Sequence, residues 1–545
     1  MNWKKIIAYP SVAGIIGFLY GSSSIWWEMI KGESLYSALF DFAYSSIDFA
    51  FSARSMVGWI AFFGILLVGM TAWTGFRLKE REEVCWFHWF TAFIIGWSLA
   101  RSVIFLLLDK WFFLGAIVTM PFVLGTFMLS ATLGQITSHR TISTGIEGAK
   151  QTPFTSISLA SVLVISLMLS LPNLTAMAGI LPSPPERPEI GYGSGENPYD
   201  VKEYIYATDY PESITQWWDD WSQNYDWNIH VFVPVGFEGE SIGVAIMLHG
   251  HDGEAIEVYR DTMESLAGQG VIAIFPQYVS DVDLSSVSDD FELKYLLGGS
   301  NHPQHEPRFT MAMHGVDAAL DFMENDSALN SDISGATIDT SHLWISGHSM
   351  GAGSLFYVLG IGLERGWGSE SLVINLEAPW IHATQPNLDG NMSLLPDHAL
   401  IHVVEYEDEI VVAKCIGRWQ HARLQARDGL NSLPSDQILY LLVPSDYRGF
   451  PRLIASHYLP AAVVRESLSD QSYYPRIEAQ ADFIASSAIG DNVSANSAKM
   501  WFMEPGEMTD LGKWSNGEEV YPMQIIDSPF ELPQDDPDAC PTLLS

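Results

Sequence analysis

Apolar and polar positions follow two different rhythms along this chain. Over residues 1–181 the apolar runs are long, and short polar joints separate them. Five runs, 6–27, 55–76, 85–108, 111–134 and 156–180, each approach or exceed the roughly 20 residues that a helix needs to cross a bilayer. Stretches such as WIAFFGILLVGMTAW show no charged face, so burial in a soluble core explains them poorly. SLYSALFDFAYSSIDFAF carries Asp41 and Asp48 and reads as an interfacial helix or loop. The expectation for 1–181 is therefore an all-α transmembrane bundle of about five helices.

Beyond residue 181 the pattern changes. Short apolar runs (IHVFVPV, SIGVAIMLHG, GVIAIFPQY, HLWISG, LVINLEAP, ALIHVVEY and QILYLLVP) predict strands. Between several of them EVYRDTMESLAGQ, FTMAMHGVDAALDFMEN and AKCIGRWQHARLQARDG have helical spacing. Such alternation predicts an α/β domain, a mostly parallel sheet with helices on both faces. The expected plan is a Pro- and Gly-rich linker over 182–202, an α/β domain over 203–490, and an extension over 491–545 that packs on it.

Charge sharpens this division. Residues 1–181 hold eleven basic and nine acidic residues, whereas 182–545 hold sixteen basic and fifty-six acidic, a net charge of −40. Lys4, Lys5, Arg77, Lys79, Arg81, Arg140 and Lys150 fall on one side of the expected bundle, and Lys31, Arg54 and Lys110 on the other. That bias puts the amino terminus in the cytoplasm and, after five crossings, the acidic part outside the cell membrane. So acidic a domain excludes nucleic acid as partner, because phosphate binding needs basic patches. Dense carboxylates also fit a high-salt setting, where screening relieves their repulsion. Of three cysteines, Cys85 lies in a predicted membrane segment, while Cys415 and Cys540 are external and either bridged or free. No cysteine–histidine spacing suggests a metal, and neither metal nor cofactor is expected.

The candidate chemistry centres on WISGHSMGAGSLF, which sets Ser349 between Gly347 and Gly351 at a strand-to-helix turn. Glycines on either side allow the close approach that so sharp a turn demands, and the apex hydroxyl then stands clear of the sheet. A serine nucleophile needs a base, an orienting carboxylate and oxyanion donors. In this sheet type the carboxylate and then the histidine follow the serine in chain order. Two histidines follow residue 408. His421 lies in a helical pattern, while His457, in the loop IASHYLPA, is the expected base. ALIHVVEYEDEIV offers Glu405, Glu407, Asp408 and Glu409 at a strand end; the spacing D-x-x-V favours Asp408, with Glu405 and Glu407 as rivals. The backbone N–H groups of His251, in MLHGHDG, and of Met350 are the expected oxyanion donors. His249 and His251 could alternatively pair on a metal, but no carboxylate or cysteine ligand accompanies their spacing.

GHSMG, HGHDG, Asp408 and His457 in this order resemble the α/β-hydrolase superfamily over roughly residues 200–490. GHSMGAGS is similar to the GxSMGGG elbow of the bacterial cutinase and polyester-hydrolase group, which neighbours the dienelactone hydrolases. LEAPWIHATQ and IASHYLP resemble that group's PW loop and its histidine loop. The resemblance implies an α/β-hydrolase fold and carboxylic-ester hydrolysis through an acyl-serine. It places Trp380 and His251 against a small or polymeric ester substrate. His251 stands where the group commonly has an aromatic residue, and the acidic insertion 280–299, the membrane segments and the carboxy-terminal extension have no counterpart there. Lipases, peptidases and acyltransferases use the same three side-chain types. A transporter or sensor with an accessory hydrolase-like binding domain is the reading from another class, and the scarcity of ionisable residues in the five segments disfavours it.

Overall fold

The computed structural model describes residues 10–31, 100, 180–282, 305–380, 390–409, 411–429, 432–449, 451–461, 465–527 and 529. The chain divides into two compact units, Met1–Ser183 and Pro184–Ser545. In the first unit, helices run over Pro10–Gly21 and Ser23–Lys31. The segment expected to cross the membrane at 6–27 is thus divided at Ser22, whose hydroxyl donates to the Phe18 carbonyl at 2.8 Å. A helix of 12 residues is about 18 Å long, well short of the hydrocarbon thickness. Among the described residues no helix is long and apolar enough to cross a membrane, so the expected bundle has no support there. Apart from residues 100 and 180, the segments 55–76, 85–108, 111–134 and 156–180 lie outside the described residues.

The second unit is built on one nine-stranded sheet in the order β1-β2-β4-β3-β5-β6-β7-β8-β9. The strands are β1 Asp200–Ala207, β2 Asn228–Val235, β3 Ser241–Leu248, β4 Ile272–Pro276, β5 Thr337–His348, β6 Ser371–Glu377, β7 Leu400–Tyr406, β8 Ile438–Val443 and β9 Gln524–Ile525. From β4 through β8 every neighbouring pair is parallel. β1 and β2 add antiparallel strands at one edge and β9 adds one at the other. This is the mostly parallel α/β architecture that the alternating pattern predicts. The seven expected strands all form, while β1 and β9 are additions at the edges.

Central burial explains why the parallel strands read as continuous apolar runs: β3, β4, β6 and β7 are almost wholly buried. Strand alternation splits their side chains between two layers. On β5, Leu343 and Ile345 join the main core cluster, which includes Phe309, Met313, Leu355 and Leu359 from the helices His305–Asn325 and Met350–Glu364. Trp344, between them, faces the other way, and its indole N–H donates to Gln480 on the helix Tyr474–Ala488 at 2.8 Å. That helix packs with Arg260–Gly268 on the opposite face. β5 therefore sits in the middle of a three-layer stack, and its last residue, His348, delivers the chain to Ser349.

Candidate active site

Ser349 sits between β5 and the helix Met350–Glu364 with φ 55° and ψ −118°, a left-handed conformation that costs a non-glycine residue about 1–3 kcal/mol. The flanking glycines are steric necessities. A Cβ at Gly347 would lie 2.3 Å from the Gly351 carbonyl carbon, and one at Gly351 would lie 2.2 Å from the Leu248 carbonyl oxygen. The elbow is thus pressed on itself and on the end of β3. Neighbouring strands then hold the strained residue. Ser349 N–H donates to the Glu377 carbonyl at 2.9 Å, and Trp380 N–H donates to the Ser349 carbonyl at 3.0 Å.

Glu377, which ends β6, is itself braced in the interior. Its carboxylate accepts from the Tyr406 hydroxyl at 2.6 Å, from Asn375 Nδ2 at 2.9 Å and from the Arg476 guanidinium. All four side chains are buried. Removing one partner from such a set leaves an uncompensated charge, so it fixes the strand end that holds the Ser349 backbone.

His457 lies beside the elbow: its ring centroid is 4.8 Å from that of His348, the residue before Ser349. Its Nδ1 is 2.7 Å from Glu409 Oε2, and both side chains are buried. A carboxylate accepts, so the proton of this bond belongs to Nδ1, and the neutral ring keeps its lone pair on Nε2, the nitrogen a general base uses. Among the described residues Ser349 Oγ makes no hydrogen bond, to His457 or to any other group.

The carboxylate that meets His457 is Glu409 and not the expected Asp408. Asp408 accepts from the Ser445 hydroxyl at 2.5 Å and from the Tyr447 hydroxyl, both on the segment after β8. Glu407 accepts from Ser445 N–H at 2.8 Å, and Glu405 stays inside the sheet. After β7 the chain turns, Glu409 N–H donates to the Tyr406 carbonyl at 3.2 Å, and the residue beyond the turn comes back toward His457. The D-x-x-V spacing does not separate the two neighbours, because their partners, Ser445 and Tyr447 for Asp408 and His457 for Glu409, lie far along the chain. Glu409 had one local signal: its Oε1 accepts from Val411 N–H and Val412 N–H, a turn-capping geometry that aims the carboxylate inward. His421, in contrast, is buried in the helix Cys415–Ala426 edge-on to Tyr440, and burial lowers it to about 4.

The turn after β3 supplies the remaining group. His249 is fully buried, stacked on Tyr278, and burial depresses it to about 3. As a neutral ring it donates Nδ1–H to the Gly250 carbonyl at 2.7 Å and accepts Tyr278 N–H on Nε2 at 3.2 Å. His251 points away, with its nitrogens 3.2 Å from Asp252 and from Asp281. Burial acts to lower His251, but those two carboxylates outweigh it and lift the ring to about 9. Its ring edge meets Trp380 at a centroid distance of 6.4 Å. The two expected substrate contacts are therefore neighbours. The N–H groups of His251 and Met350 have no acceptor among the described residues, and Met350 opens a helix whose first amides lack intrahelical partners.

His249 and His251 diverge and so do not pair on a metal. His251, Asp252 and Asp281 do bring three ligand-type atoms within 4.8 Å of one another. His251, raised to about 9 by these carboxylates, forms ion pairs with both, and Arg308 stands 3.9 Å from Asp281. The three residues form a charged cluster beside Trp380. Beside it burial, reinforced by the charge of Asp252, raises Glu254 to about 7, and Glu254 accepts the Ser280 hydroxyl at 3.0 Å.

No family model matches the chain, and no curated protein matches it.

Proposed function

We propose that this chain is a serine hydrolase of the α/β-hydrolase fold that cleaves carboxylic esters through an acyl-serine intermediate. The observation that carries the reading is a strained serine at a strand-to-helix turn beside a histidine whose Nδ1–H is held by a buried carboxylate. Ser349 Oγ attacks the ester carbonyl while His457 Nε2 takes its proton, and Glu409 holds the ring in the tautomer that does so. The N–H groups of His251 and Met350 receive the oxyanion, each such donor contributing about a hundred- to thousand-fold in rate. The proton on His457 then passes to the leaving alcohol, and water repeats the sequence to release the acid. Trp380 and His251 line the approach to the acyl carbon. No metal or cofactor enters any step.

The strongly acidic domain acts outside the cell membrane in this reading, anchored through the apolar segments of residues 1–181. The charge bias of the amino-terminal loops supports that side, and so does the disulfide at Cys415, since such bonds persist in oxidising compartments. Its net charge of −40 suits high salt. Diluting salt from molar to millimolar should lower the melting temperature of the chain, and an unchanged value would remove the high-salt part of the proposal.

Ser349→Ala should reduce turnover of a short-chain nitrophenyl ester by more than about a thousand-fold with an unaltered circular dichroism spectrum. The wild type should label with a fluorophosphonate probe and the variant should not. Equal turnover by the two proteins would refute the assignment. Labelling without ester turnover, together with amide cleavage or acyl transfer, would keep the nucleophile and redirect the substrate class.

A further inference from the structure

Three loops must keep register for this chemistry: the turn after β3 with the His251 amide, the elbow with Ser349, and the loop with His457. One hydrogen-bonded chain through two buried side chains joins all three. Gly250 N–H donates to the Tyr259 hydroxyl oxygen at 3.0 Å. That hydroxyl lies 2.8 Å from His348 Nδ1, and His348 Nε2 lies 2.8 Å from the His457 carbonyl oxygen. Tyr259 and His348 are both buried.

Every proton in this chain has a determined place. The His457 carbonyl only accepts, so His348 Nε2 carries a hydrogen. Burial above all holds His348 well below the ordinary histidine range, so the ring is neutral and its Nδ1 accepts. The Tyr259 hydroxyl must then donate to Nδ1, which leaves its oxygen free to accept Gly250 N–H. A tyrosine is matched to the middle position because its hydroxyl donates and accepts at once. Space enforces the arrangement as well: a Cβ at Gly250 would lie 3.1 Å from His348 Nδ1 and 3.2 Å from Ser349 Cβ.

We infer that Tyr259 and His348 are positioning residues that lock the oxyanion turn and the base to the nucleophile elbow. Neither touches the reacting atoms. They act by holding the His251 amide and the His457 ring at their distances from Ser349, where a displacement of about 1 Å can cost about a hundred-fold in rate. The inference rests on the proposed hydrolytic reading for its kinetic consequence, but its structural consequence stands without it.

The test uses the full-length chain in detergent. Tyr259→Phe keeps the buried ring and removes only the hydroxyl. It should lower kcat for the nitrophenyl ester about 10- to 100-fold with KM within about threefold. Hydrogen exchange should speed up together in peptides covering 249–253 and 454–461, while the central strands stay protected. His348→Leu should do the same. His348→Gln, whose amide supplies one donor and one acceptor, should recover part of kcat and of the protection. If Tyr259→Phe fails to fold, the His348 pair decides the matter alone. An active wild type with unchanged kcat and unchanged exchange in the variants overturns the lock and leaves ester hydrolysis standing. A wild type with no turnover and no fluorophosphonate labelling overturns the hydrolytic reading instead. In that event linked exchange at the two loops sustains the lock, and unlinked exchange ends it.

Discussion

The turn that carries Ser349 and the loop that carries His457 are held in different ways. The elbow is a local object: its strain comes from its own backbone, its tightness from Gly347 and Gly351, and its seat from adjacent strand ends at Leu248 and Glu377. The histidine loop has no such economy. Its ends are tied by an isolated bridge between Asp446 and Leu453, by Ala455 N–H on the Ser445 hydroxyl at 2.8 Å, and by Asp408 N–H on the Ala455 carbonyl at 2.9 Å. Asp446 in turn is buried and accepts the Trp514 indole N–H at 2.9 Å and Tyr521 N–H at 3.3 Å. The loop of His457 is thus built by the turn after β7 and by the chain beyond residue 510. The strained serine is set by sterics alone, whereas the histidine beside it needs distant chain to hold it.

This contrast predicts a graded set of effects. The largest concerns the two neighbouring carboxylates. Glu409→Gln should lower kcat by about a thousand- to ten-thousand-fold, because the ring loses the acceptor that selects its tautomer. Asp408→Asn should stay within about tenfold of the wild type, since its partners are Ser445 and Tyr447. Equal losses in steady-state kinetics would erase the distinction between them. Gly351→Ala, on the elbow itself, should destabilise the domain by about 3 kcal/mol or more, because the added carbon meets backbone on which no rotamer change can act. Denaturant titration reads this directly.

Acid should weaken the interior next. His249 and His348 are depressed below their unfolded value near 6.5, so the stability tied to their neutral forms is complete above that pH and is lost as pH falls below it. Each contributes a slope of up to about 1.4 kcal/mol per pH unit, measurable as declining denaturant midpoints between pH 6.5 and 5. His251 behaves oppositely. Raised to about 9, it adds stability that is full below pH 6.5 and disappears as pH rises through 9, and at its half-exposed position salt should shrink the effect. Trp514→Phe is the smallest change. It should cost about 1–2 kcal/mol and slow turnover a few-fold by loosening the histidine loop, with no effect on the elbow.

Much of the fold can be read from the residues, and the reasons are local. Parallel strands buried on both faces must be apolar throughout, and the seven that read so are the seven that form the centre and its flanks. The start of β1 falls inside the expected Pro- and Gly-rich linker, and DVKEYIYA becomes a strand through its pairing from Asp200 opposite Val235 to Ala207 opposite Asn228. β9 is two residues long and exists only against Leu441 and Leu442. The expected spans of the amino-terminal part followed hydropathy alone, which is blind to a break such as the one at Ser22, where a hydroxyl takes a helix carbonyl.

The chain order of strands and helices, the glycine-flanked turn at Ser349, and the placing of His457 in a loop and His421 in a helix are legible in the residues. Each follows from short-range rules of side-chain periodicity and backbone sterics. Tertiary structure alone decided that Glu409 and not Asp408 meets His457, that His251 is charged while His249 and His348 are neutral, and that Tyr259 ties three loops together. Those outcomes depend on which groups share a dry interior, and the groups concerned stand tens to more than a hundred positions apart. Burial and a hydrogen-bond partner decide where a proton sits, and both exist only once the chain has closed on itself.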